Sequence, residues 1–106
     1  MIVRAEDKHP KEVEPGFWRA ILSYGERIMV AEINMTRGAR FPAHQHPHEQ
    51  ITYVIKGTIK FVLDGEEVVL GAGESCLIRS GQTHSAEAPS DCMVLDIFAP
   101  PREDFL

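Results

Sequence analysis

What most restricts the folds open to this chain is the shortness of its apolar runs. They lie at residues 17–24 (FWRAILSY), 27–35 (RIMVAEINM), 50–55 (QITYVI), 58–63 (TIKFVL), 67–70 (EVVL), 75–78 (SCLI) and 92–98 (CMVLDIF). Each is rich in β-branched or aromatic side chains and is closed by a turn-forming segment, among them Gly25, Thr36-Arg37-Gly38, Lys56-Gly57 and Asp64-Gly65. No window sustains an i, i+3, i+4, i+7 apolar stripe beyond two turns, so an amphipathic helix has nothing to bury. Several short strands separated by turn signals predict an all-β, antiparallel barrel or sandwich. Asp64-Gly65 is a two-residue hairpin signal, because both residues tolerate the positive φ of a type I′ turn.

With 106 residues the chain has the size of one domain. An extended polar arm is expected over residues 1–15, which contain His9-Pro10 and Glu14-Pro15, and the folded domain over 16–106. A formal charge of −5 without a Lys/Arg cluster argues against a nucleic-acid partner. No apolar run approaches the ~18 residues of a membrane-spanning helix, and the polar start does not read as a signal peptide. Cys76 and Cys92 match no redox or metal spacing, so reduced thiols and a cytoplasmic location are expected.

The chemistry concentrates in His44-Gln45-His46-Pro47-His48-Glu49-Gln50. On a strand, His44 and His46 share a face, and two imidazoles on one wall suit a divalent first-row metal. Parity adds His48 and Gln50 to that face, one ligand too many, and Pro47 interrupts the alternation, so parity alone does not choose between them. His84, after Gly81-Gln82-Thr83, can return across a barrel. Four of the five histidines fall in these two segments, which favours a metal site over isolated surface histidines; His9 has no such company.

These segments resemble the two motifs of the cupin superfamily. Gly38, His44, His46, Gln50 and Gly57 match G-x5-H-x-H-x3,4-E-x6-G, with Gln50 where most cupins carry glutamate. Gly73, Gly81 and His84 match G-x5-P-x-G-x2-H-x3-N, with Arg79 and Ala88 replacing the proline and asparagine. The resemblance implies a single-domain jelly-roll barrel and a divalent metal (Zn, Ni, Mn or Fe) held by His44, His46, Gln50 and His84. A neutral amide beside three neutral imidazoles leaves the ion its full charge, which suits Lewis-acid work on an anion better than oxygen chemistry. A homodimer through residues 17–24 is expected because cupins commonly pair that way.

The C-terminal LDIFAPPREDFL and the HPHEQITYV segment further resemble the small pectin-degradation cupins called KdgF. That family converts 4,5-unsaturated monouronates into linear keto-uronates, and its Asp-x-Phe-x3-Arg trio falls on Asp96, Phe98 and Arg102. The residues support the trio on their own account. Asp96 interrupts an apolar strand, where a carboxylate without a partner or a role is costly. Phe98 shares its face, and Arg102 follows the stiff Pro100-Pro101 with a fork suited to a carboxylate. A structural ion pair of Asp96 with Arg102 or Lys60 is the bland alternative. Two other functional readings stand beside the enzyme: a non-catalytic cupin that binds or senses a small anion, and a metal-dependent oxygenase or cyclase. The remaining charged and large side chains read as surface or core, with Phe17-Trp18 in the core or a dimer contact, and the face of Lys60 is open.

Overall fold

The computed structural model describes residues 1–106. Ten strands run in order as β1 (Lys11–Glu14), β2 (Phe17–Tyr24), β3 (Met29–Met35), β4 (Arg40–His44), β5 (Glu49–Lys56), β6 (Thr58–Leu63), β7 (Glu66–Gly71), β8 (Ser75–Ile78), β9 (His84–Glu87) and β10 (Cys92–Ala99). The helical content is two single 3₁₀ turns, Ala5–Asp7 and Glu103–Phe105. The strands form a six-stranded sheet, β1-β2-β3-β10-β5-β8, and a four-stranded sheet, β4-β9-β6-β7, with every ladder antiparallel. Within β3–β10, each strand of one sheet has a sequence neighbour at the matching place in the other. This interleaving is the jelly roll the sequence predicts.

Alternation along each strand decides what is buried. In β3 Met29, Ala31, Ile33 and Met35 point inward and in β5 Gln50, Thr52 and Val54 do so. The apolar members of these rows, with Ile59, Phe61, Val94 and Phe98, belong to one core between the sheets. Phe17 on β2 meets Phe41 on β4 with ring centroids 4.9 Å apart, so the aromatic pair joins the two sheets at one end. The outward face of the larger sheet keeps Trp18, Ile51, Tyr53, Ile55 and Leu77 exposed. No helix is long and apolar enough to cross a membrane.

Two turns show why the sequence needs glycine where it has it. Asp64 and Gly65 both take positive φ and close β6 onto β7 with Leu63 opposite Glu66, the predicted hairpin. Gly57 carries the chain from β5 in one sheet to β6 in the other. Its φ is +74°, and a Cβ there would collide with the Asp91 carbonyl oxygen.

Three elements depart from the reading of the sequence. β4 and β9 carry no apolar run and were not anticipated, and Lys11–Glu14 within the N-terminal segment pairs with β2 as an edge strand. Pro42 is accommodated because the β4–β9 ladder is irregular between Phe41 and His44. The four-residue HSAE strand is too short and polar to announce itself, and tertiary pairing with β4 and β6 holds it.

Candidate metal centre and active site

The strand register assembles the site at one end of the barrel. His44 closes β4 directly opposite His84, which opens β9. Gln50 on β5 lies opposite Phe98 on β10, and Thr52 lies opposite Asp96. His46 belongs to neither sheet: β4 ends at His44 and β5 starts at Glu49, so His46 occupies the connection between sheets. The expectation that His44 and His46 share one strand face is therefore corrected. They converge because the chain leaves β4 after His44, and the Gly81 N–H donating to the His46 carbonyl (2.8 Å) ties that connection to the turn before β9.

Donor atoms of His44, His46 and His84 lie within 4.8 Å of one another. Each ring is held through Nδ1 by a backbone carbonyl: Pro42 for His44 (2.9 Å), His48 for His46 (3.0 Å) and Gln82 for His84 (2.8 Å). A carbonyl only accepts, so each Nδ1 must carry the proton and each Nε2 presents a lone pair. The His84 Nε2 is sealed from solvent and has no partner. The His46 Nε2 faces the Gln50 Oε1 at 3.0 Å, while the Gln50 amide donates to the Thr52 hydroxyl (3.0 Å). Two acceptors at that distance repel unless a cation lies beside them, and a buried nitrogen without a donor is costly. Burial holds all three imidazoles below their usual 6.5, with His84 down to about 4, so protons are poor occupants. The donor set fits a divalent metal. His48 contributes its carbonyl to His46 rather than its ring to the cluster, and Gln50 is the side chain at the His46 nitrogen.

Beside this centre lies a cavity open to solvent, lined by His44, Gln50, His84, Asp96, Phe98, Arg102 and apolar side chains from both sheets. Asp96 accepts a 2.7 Å hydrogen bond from the Thr52 hydroxyl. Gln50, Thr52 and Asp96 thus form a continuous chain from the histidine cluster to the carboxyl. Burial pushes the Asp96 carboxyl up from 3.8 to about 6, against the opposing pull of the Thr52 bond and of Arg19. The structural ion pairs weighed for Asp96 do not form. Arg102 pairs in a fork with Asp104 (3.1 and 2.9 Å), and Lys60 faces outward to Glu67 and Glu87. Arg102 also lies over Phe98 and Phe105, 5.2 and 4.2 Å from their centroids.

Two residues of the site escaped the sequence reading. Thr52 is fully buried in an alternating strand, and a threonine in step with Gln50 was the available signal. Arg19 lines the cavity from β2, and a cation in step with Phe17 and Ile21 on a core-facing row was the sign of it. The thiols of Cys76 and Cys92 are free, and burial raises both to about 11, outside the metal centre.

Residues 31–98 match the family description of a cupin domain, the span that carries both histidine segments. The chain belongs to the cupin family. Within it, the similarity to KdgF proteins extends over nearly the whole length. The pectin degradation protein KdgF of Dickeya dadantii is 31% identical over 104 residues, covering 95% of this chain and 94% of that protein. The solved structure of KdgF from Halomonas sp. superposes with a TM-score of 0.94 at 32% identity, covering 100% of this cupin and 98% of that chain. An RmlC-like cupin from Shewanella frigidimarina gives a TM-score of 0.93 at 30% identity, with 99% and 95% covered. This cupin is therefore of the KdgF type in fold and in sequence.

Proposed function

We propose that this cupin is a metal-dependent enzyme that opens 4,5-unsaturated monouronates, the products of pectin or alginate cleavage, into linear keto-uronates. The observation that carries the reading is the chain Gln50–Thr52–Asp96. It joins a three-histidine cluster to a carboxyl whose burial brings it to about 6, in a cavity floored by Phe98 and flanked by Arg102. A carboxyl near neutrality serves as both acid and base. The similarity to proteins named for pectin degradation supports the same substrate class.

His44, His46, Gln50 and His84 would hold the ion, which supplies Lewis-acid polarisation of substrate oxygens. Arg102 binds the substrate carboxylate, and Phe98 packs on the apolar face of the ring. Asp96, as the acid, delivers its proton to the ring carbon of the enol ether. It takes a proton back from the anomeric hydroxyl as the ring C–O bond breaks, giving a ketone and an aldehyde with no net change in composition. Thr52 keeps the Asp96 oxygen aimed into the cavity through its 2.7 Å bond. A homodimer through β2, in the cytoplasm, completes this reading.

The test is spectrophotometric. Purified, metal-loaded protein is incubated with unsaturated galacturonate and, separately, unsaturated mannuronate, and the absorbance of the conjugated enol ether is followed. Accelerated loss with either sugar is expected. Decay at the uncatalysed rate with both, under several divalent metals, refutes the assignment.

A further inference from the structure

The cavity holds a second guanidinium that the reaction described above does not use. Arg19 stands on the inward row of β2, and its side chain reaches the cavity shared by Asp96 and Arg102. Its Cζ lies 3.7 Å from the Phe105 ring centroid, and the Cζ of Arg102 lies 4.2 Å from the same ring. The two cations differ in how they are compensated. Arg102 has a forked ion pair with Asp104. Arg19 has no ion pair and no side-chain hydrogen bond, and its Nε is shut off from solvent without a partner. Asp96 is engaged by Thr52 and attracts Arg19 only through space, without an ion pair.

A guanidinium nitrogen closed off from solvent without a hydrogen-bond partner is costly, and a cation–π contact replaces only part of its lost hydration. Such a cost persists where a ligand removes it. We propose that Arg19 is an anion-binding residue of this cavity. Together with Arg102 it grips the carboxylate of a sugar acid, and it makes the site select an acid over the neutral sugar of the same shape. The identity of that acid as a uronate rests on the proposed function; the need for an anion at Arg19 does not. The competing role is purely structural, a pillar under Phe105.

The test uses full-length, zinc-loaded protein and calorimetric titration with D-galacturonate and with D-galactose, its neutral counterpart. Wild type is expected to prefer galacturonate. Arg19→Gln should weaken galacturonate at least tenfold and leave galactose within about twofold, because a charge-assisted fork is lost while shape is kept. Arg19→Lys, which keeps the charge, should fall between the two. Phe105→Leu, which removes the supported ring and spares the guanidinium, should lower the melting temperature but retain the preference for the acid. Where unsaturated uronates are turned over, Arg19→Gln should raise KM by a similar factor with kcat nearly unchanged. Wild type that binds both sugars alike overturns the proposal, as does a folded Arg19→Gln with wild-type affinity and KM. If Arg19→Gln does not fold, Arg19→Lys equal to wild type in galacturonate affinity and KM overturns it. Absence of turnover with galacturonate binding that depends on Arg19 removes the reaction and leaves the anion site. Turnover with KM indifferent to Arg19 does the reverse.

Discussion

Replacing Asp96 by Asn separates a catalytic carboxyl from a structural one, and the structure sets the expected size of the effect. Asn keeps the shape and the acceptor oxygen that receives the Thr52 bond, and it removes the ionisable proton. Because burial lifts the folded-state carboxyl from 3.8 to about 6, the native protein holds this proton more tightly than the unfolded chain does. The stabilisation from the protonated form is therefore complete below 3.8 and is lost as pH rises through about 6. At about 1.4 kcal/mol per pH unit, ionised Asp96 costs the metal-free protein roughly 3 kcal/mol at neutral pH. Asp96→Asn should escape that cost. In chelator-treated protein its melting temperature should match wild type near pH 4 and exceed it by on the order of 10 °C at pH 7. Turnover of the loaded enzyme should fall by about 10²–10⁴-fold, the usual share of general acid–base catalysis. Thermal melts from pH 4 to 8 and initial rates on one preparation measure both. A variant less stable than wild type at pH 7, or a melting difference that does not change with pH, would falsify the account of Asp96 as a buried carboxyl. Unchanged turnover would remove it from the chemistry and put the anion-binding cupin first.

Ligand identity and backbone geometry give two further outcomes. His46→Ala should abolish bound metal and Gln50→Ala should weaken it, whereas His48→Ala should leave it nearly intact, since His48 offers its carbonyl and not its ring. Elemental analysis after gel filtration decides, and loss of metal in His48→Ala with retention in Gln50→Ala reverses the assignment. Gly57→Ala should destabilise by about 2–4 kcal/mol, because positive φ is joined by a collision with the Asp91 carbonyl. Gly65→Ala, at φ +85° with open space around it, should cost only about 1 kcal/mol in urea unfolding. Equal costs would mean that the close approach at Gly57 carries no energy.

The sequence by itself determined the all-β class, the strands with apolar runs, the Asp64-Gly65 hairpin and the company the histidines keep. Each is a local property: alternation, turn chemistry, or residues close along the chain. Tertiary structure decided everything that depends on pairing. Strands β4 and β9 exist because partners hold them, as Pro42 and the polar HSAE give no local signal. His44 and His46 converge because the chain leaves β4 after His44 and not through alternation within one strand, so the expected neighbours were right and the expected geometry was not. The bond from Thr52 to Asp96 joins residues from separate stretches of chain, and only the β5–β10 register sets them opposite each other. Whether Arg102 or Lys60 would neutralise Asp96 was likewise open until packing gave Arg102 to Asp104 and turned Lys60 outward. An ion pair depends on distance in space, and alternation in a single strand records only which face a side chain takes.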